Sequence, residues 1–142
     1  KIIDRFFSAL PRVRRYIEES FEDARLRGYT RTVAGRIRPL AEVPLNQRDK
    51  GSLKRIAVNS PIQGTAADII KKAMIDVHQT LKSENLRSRM LLQVHDELVL
   101  EVPDSELHQV ELLVKTAMEK AVRLSIPLLV DVKHGVNWSQ TK

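Results

Sequence analysis

Apolar residues recur at helical spacing along several stretches of this chain. From Pro11, which suits the first turn of a helix, Val13, Tyr16, Ile17, Phe21 and Ala24 fall on one face, and Gly28 is placed to stop the helix. A helical region is expected from about Ser52, with Pro61 interrupting it, because proline lacks the N–H and disfavours α geometry in the residue before it. Ser60–Pro61 then reads as the cap and first position of a new helix, with Ile62, Ala66, Ile69, Ile70, Ala73, Met74 and Val77 as its stripe. A further helix is expected behind an Asp104 cap, burying Leu107, Val110, Leu113, Val114, Ala117, Met118 and Ala121. Between these stretches the pattern changes. Tyr29 to Leu40 reads as a short hairpin, with Thr30, Thr32 and Val33 before Gly35 and basic residues after it. Leu91 to Val102 reads as two apolar strands joined at a tight, acidic tip, and Pro127 is expected to open a last strand, Leu128 to Val132. Residues 41–52, with Pro44, Asn46, Asp49, Gly51 and Ser52, read as a loop. This order predicts an α+β fold, a small antiparallel sheet covered on one face by helices.

The chain has 142 residues, enough for one domain or a piece of one. Its 42% hydrophobic and 30% charged content is that of a globular protein rather than a disordered one. No apolar run approaches the roughly 20 residues that span a bilayer. No signal peptide is read either, since Lys1 opens directly into an amphipathic pattern. Without cysteine, disulfides, thiolate catalysis and cysteine zinc sites are excluded, in keeping with a reducing cytosol and a cytoplasmic location. The net charge is +6, and the arginines crowd into residues 1–55. Such a surface can bind polyanions in a salt-dependent way, although any one cluster is more commonly a solvated face.

Candidate chemistry lies at the acidic tip. Folding gains nothing obvious from His95, Asp96 and Glu97 wedged between apolar strands. A hard divalent cation such as Mg²⁺ would gain, because it is held by one or two protein carboxylates together with substrate phosphates. An exposed hairpin turn is the plain alternative. Asp96 is the candidate ligand; successive strand residues face opposite sides, so Glu97 need not reach the same ion. Arg55, Asn59 and Gln63 are spaced by four and would share a stripe on a continuous helix.

Gln93-Val94-His95-Asp96-Glu97-Leu98-Val99 resembles the third conserved motif of the DNA polymerase I family, the family A polymerases. The segment from Arg55 through Asn59, Gln63 and Thr65-Ala66-Ala67-Asp68 to Lys71 is similar to the family's segment just upstream of that motif. Thr32-Val33-Ala34-Gly35-Arg36 and Gly135-Val136-Asn137-Trp138 are similar to two further family segments, and all occur in family order. The resemblance implies the palm subdomain, with Asp96 as metal ligand, Glu97 as an accessory acid and His95 near the primer terminus. It assigns Arg55, Asn59 and Gln63 to the primer–template end. There, hydrogen-bond donors meet purine N3 and pyrimidine O2, acceptors that every Watson–Crick pair presents in its minor groove. Phosphate contacts are expected from Arg36 and Arg38. Gly64 is expected to allow close approach of a neighbouring backbone or of DNA, and Trp138 to anchor packing.

The resemblance further implies template-directed DNA synthesis from dNTPs on a primer, in replication and repair, by a two-metal mechanism. The chain departs from the family at Gly35-Arg36-Ile37-Arg38-Pro39-Leu40-Ala41, where the family usually reads Gly-Arg-Arg-Arg-Tyr-Leu-Pro, and at Lys54, where it favours glutamate. The family's first catalytic aspartate motif and its nucleotide-gripping fingers helix are not found. Residues 1–142 are therefore expected to be a single partial domain of a larger polypeptide with fingers, thumb and first catalytic motif elsewhere, and to be inactive alone. A basic, non-catalytic DNA-binding module derived from a palm is the alternative. A hydrolase using Asp96 and Glu97 ranks last.

Overall fold

The computed structural model describes residues 2–42 and 49–141. Its elements, in chain order, are α1 (Ile2–Ala9), α2 (Pro11–Arg27), β1 (Tyr29–Arg31), β2 (Ile37–Pro39), α3 (Lys50–Ser83), β3 (Arg89–Val94), β4 (Glu97–Glu101) and α4 (Leu107–Lys120). The fold is α+β as expected, but among the described residues the strands form two separate antiparallel hairpins, β1–β2 and β3–β4, rather than one sheet. Two compact units divide the chain, Lys1–Thr65 and Ala66–Lys142, and the division falls inside α3.

In the first unit, Pro11 opens α2 and Gly28 ends it with φ 74°, its N–H donating to the Ala24 carbonyl at 2.9 Å. That left-handed conformation favours glycine over any residue with a Cβ. Spacing placed five apolar side chains of α2 on one face, but only Ala24 is buried, and Val13 and Tyr16 are exposed. Periodicity says which residues share a face, not what covers it. The β1–β2 hairpin pairs Thr30 with Arg38 and turns through Gly35 at φ 92°. Of the expected loop 41–52, residues 43–48 lie outside the described residues.

The largest departure is α3. It runs unbroken from Lys50 to Ser83 with Pro61 inside it. Asp49 Oδ1 accepts the Gly51 and Ser52 N–H groups at 2.9 and 3.1 Å, so the helix is capped there and not at Ser60. The Ser52 hydroxyl, followed by the Ser52 and Gly51 N–H groups, holds the Asp49 carboxyl below the usual carboxylate range. Proline removes one ladder bond, but the helix is tied to other elements immediately before and after it. Local cost is thus outweighed by tertiary contact, the usual way propensity is overridden. Ile62 and Ala66, placed on the buried stripe, are exposed.

In the second unit, Val77 and Leu81 of α3 meet Val110 and Val114 of α4, with Leu86, Leu100 and Val102 packed against them. Leu107, Leu113, Ala117 and Met118 are half-buried and Ala121 is buried, so the expected α4 stripe is largely present. Asp104 does not cap α4 with its side chain; it opens a 3-10 turn, Asp104–Glu106. The Glu106 carboxylate instead accepts the Arg87 and Ser88 N–H groups, each at 3.0 Å, and the Ser88 hydroxyl at 2.6 Å. Those bonds, led by the Ser88 hydroxyl, hold Glu106 below the usual carboxylate range. Residues 128–132 form no strand: the Val130 N–H goes to Glu119 Oε1 at 3.1 Å, and β3 pairs only with β4 among the described residues. A strand needs a neighbouring ladder, which an apolar run cannot supply by itself.

Leu81→Ala is expected to lower the unfolding free energy by about 2–5 kcal/mol, read from urea midpoints. Glu106 titrates lower when folded than unfolded, so its contribution is complete above the ordinary carboxylate range and fades as pH falls through the lowered value. Glu106→Gln is therefore expected to flatten the acid side of the stability–pH curve, and an unchanged acid side would show that Glu106 is not its source.

Candidate functional site

The acidic tip is built from the hairpin backbone upward. β3 and β4 run antiparallel from Arg89↔Glu101 to Val94↔Glu97, leaving His95 and Asp96 as a two-residue turn. The register shifts between Met90 and Leu92, which makes Leu91 an extra residue on β3. Bulges of this kind re-aim the side chains that follow, and they are common beside functional sites. His95 sits at φ 54° at the first turn position, where hairpins favour glycine or asparagine. A non-glycine residue there is held by its surroundings. The Gln93 side-chain amide donates to the His95 carbonyl. At the hairpin base Arg89 pairs with Glu101. Asp96 occupies the second turn position and Glu97 the first of β4, both exposed.

Two adjacent carboxylates at an open tip offer hard oxygen donors, the chemistry a divalent cation requires. They do not make a closed cage. Among the described residues, no group of three or more His, Cys, Asp or Glu side chains could hold a metal. A cation held here would keep coordination positions for water, substrate or other carboxylates.

The second set of candidates belongs to the first unit. Because α3 is continuous through Pro61, the four-residue spacing of Arg55, Asn59 and Gln63 does put them on one helical stripe, and all three are exposed. Arg55 Nη2 donates to Ser52 Oγ at 3.0 Å. Arg36 and Arg38, expected at phosphates, turn onto α3: Arg36 Nη2 donates to the Gly64 carbonyl and Arg38 Nη1 to Ser60 Oγ, both at 2.9 Å. Thr30, Thr32, Arg36, Arg38, Ser60 and Gln63, together with Ile37 and Gly64, line a cavity of about 100 Å³ between the hairpin and α3. Gly64 permits a close approach, but by side chains rather than by a neighbouring backbone. A Cβ there would lie 2.6 Å from Thr32 Cγ2 and 3.3 Å from Arg36 Nη2.

Several residues take parts that the sequence did not disclose. Thr65 is mid-helix and caps nothing; its hydroxyl donates to the Pro61 carbonyl at 2.6 Å and accepts the Val33 N–H at 3.1 Å. The four-residue step from Pro61 is the signal that a continuous-helix reading would have caught. The Tyr16 hydroxyl donates to the Val58 carbonyl at 3.0 Å, and no local pattern announces that contact. Gln93 lies within the motif, but its hold on His95 follows only from the turn geometry. Trp138 opens a terminal 3-10 turn and is 40% exposed, so it is not a buried anchor.

The acidic hairpin tip in one unit and the exposed, donor-bearing helical stripe in the other are the two candidate surfaces of this α+β chain. The family model for DNA polymerase family A matches residues 1–140, and the chain belongs to that family. It is 46% identical over 143 aligned residues to DNA polymerase I of Caldicellulosiruptor bescii, with 100% of this chain and 17% of that protein aligned. To DNA polymerase I of Bacillus subtilis it is 44% identical over 141 residues, covering 99% of this chain and 16% of that protein. The chain therefore spans about a sixth of the length of these curated relatives. Among solved structures, it is similar to the POL domain of Pol1 from M. smegmatis in complex with DNA primer-template and dNTP. The TM-score is 0.90 at 44% identity, covering 98% of this chain and 25% of that one. No helix among the described residues is long and apolar enough to cross a membrane.

His95→Gly is expected to keep the hairpin folded, since glycine takes positive φ without strain. Amide exchange across β3–β4 that rises to the level of an unpaired loop in this variant would show that the histidine side chain, not the turn geometry, holds the tip together.

Proposed function

We propose that this chain is the carboxyl-terminal palm portion of a DNA-directed DNA polymerase, working inside a longer polypeptide and inactive without it. The reaction is nucleotidyl transfer from a dNTP to a primer 3′-OH by a two-metal mechanism, in replication and repair. One observation carries this reading: across 98% of its length the chain is similar, at 44% identity, to a polymerase domain solved with DNA primer-template and dNTP.

Asp96 is the proposed metal ligand and Glu97 the accessory acid. When bound, Mg²⁺ would supply Lewis-acid stabilisation of the attacking oxygen and the leaving pyrophosphate. The protein's own part is to keep the carboxylates at a fixed place. The paired strands β3 and β4 and the hold of Gln93 on His95 support that role. Further carboxylates would come from the remainder of the polypeptide, consistent with the open, two-acid tip. Arg55, Asn59 and Gln63 would donate to the minor-groove edge of the primer–template end, sensing pair geometry without reading sequence, and His95 would lie beside the primer terminus. The exposed stripe on an unbroken α3 supports this assignment. The basic balance of +6 suits a polyanionic partner.

The test is Asp96→Asn in the full-length polypeptide. Primer extension should fall by on the order of 10³ or more, at least the worth of one charge-stabilising donor at a reacting centre. Primer–template affinity should stay near its original value. Unchanged extension would sink the assignment of Asp96. A full-length polypeptide that binds DNA but extends no primer, with or without the substitution, would favour the non-catalytic binding module.

A further inference from the structure

Within the first unit, contacts from three directions converge on residues 58–65 of α3. Tyr16 of α2 donates to the Val58 carbonyl at 3.0 Å. Arg38 of β2 reaches Ser60 Oγ, and Arg36, just before β2, reaches the Gly64 carbonyl, both at 2.9 Å. The Val33 N–H, in the hairpin turn, donates to Thr65 Oγ1 at 3.1 Å. This is also the stretch that Pro61 weakens, since proline cannot donate to the Ala57 carbonyl one turn earlier. Asn59 and Gln63 stand on either side of that turn, facing solvent. Gly64 lets the hairpin in: a methyl group there would meet Thr32 Cγ2, and Thr32 is itself buried.

We propose that the β1–β2 hairpin is a positioning element for the polar stripe of α3, with Arg36 and Arg38 holding the helix at its proline turn rather than a DNA phosphate. The inference rests on the reading above that Asn59 and Gln63 meet the primer–template end. A helix lacking one ladder bond is softer at that turn, and there the angle between the two donors is set. Donors that test pair geometry must be held to roughly 0.5 Å and 10–20°. Two guanidinium forks on the helix, one to a main-chain carbonyl and one to a hydroxyl, supply that restraint from outside. Ile37, between the two arginines, is 53% exposed, so alternation along the strand leaves the arginines, not the isoleucine, on the side facing the helix.

The experiment compares Arg36→Ala, Arg38→Ala, Gly64→Ala, Asn59→Ala and Gln63→Ala in the full-length polypeptide, with melting temperature as the folding control. Two quantities are read: the ratio of extension rates from matched and mismatched primer termini, and the slope of log affinity against log salt. Arg38→Ala and Gly64→Ala should each lower the ratio by about three- to tenfold, the worth of a hydrogen bond, with the salt slope unchanged. Gly64→Ala matters most, because it displaces the hairpin without removing a charge. Arg36→Lys, which can still donate to one carbonyl, should recover most of the loss seen in Arg36→Ala. A salt slope shallower by about 1 in the arginine variants, with the ratio intact, would make them phosphate contacts and overturn the proposal. So would a folded Gly64→Ala variant with an unchanged ratio; if that variant does not fold, Arg38→Ala decides alone. Should Asn59→Ala and Gln63→Ala leave the ratio untouched, the primer–template reading of the stripe fails first, and the positioning role with it.

Discussion

The first unit depends on how closely the β1–β2 hairpin approaches α3, and that distance is set by a missing side chain. Position 64 faces Thr32 across a gap that no Cβ could share. Because Gly64 leaves it open, Thr32 is buried, the Val33 N–H reaches the Thr65 hydroxyl, and the guanidinium of Arg36 reaches the Gly64 carbonyl. Each of these contacts is modest and partly exposed, and each would contribute little if the hairpin were free to drift. Together they share one geometry. The restraint explains why a helix can pass through Pro61 without breaking: the lost ladder bond is a local cost, and the contacts on either side hold the axis.

The second unit solves a different problem, presenting charge at a point without letting the point move. The buried contact of Val77 and Leu81 with Val110 and Val114 fixes the helices, and Leu100 and Val102 attach the end of β4 to them. Glu106 fastens the connection before β3 by taking three donors from Arg87 and Ser88. From that base the hairpin extends to a turn of only two residues. His95 adopts a left-handed conformation there and Gln93 holds its carbonyl. A short turn on paired strands has few ways to bend, and that stiffness suits carboxylates at its end.

Much of this was legible from local pattern. Pro11 and Gly28 delimited α2, because proline at a first turn and glycine at positive φ are chain-local requirements. The β3–β4 hairpin with its tight tip and the α4 stripe followed from periodicity, although Glu97, read as part of the tip, is the first residue of β4. The motif residues Gln93 to Val99 and the segment from Arg55 to Lys71 led to the family that the chain does belong to. Elsewhere the local rules misjudged the outcome. Pro61 was read as a break, Ser60 and Asp104 as caps, and Leu128 to Val132 as a strand; each rule considers a residue and its sequence neighbours only.

What the sequence determined by itself was therefore the set of elements whose cause lies within a few residues, together with the chemistry of the tip: two carboxylates beside a histidine in a tight turn. Tertiary structure decided the rest. It kept α3 whole through its proline and so aligned Arg55, Asn59 and Gln63 on one face. It turned Arg36 and Arg38 onto that helix, and it gave the Val130 N–H to Glu119 instead of to a ladder. The physical reason is common to all of these. A hydrogen-bonding group takes the partner that folding brings within about 3 Å, and when that partner lies 11, 22 or 28 residues away, rules that consider only sequence neighbours do not reach it.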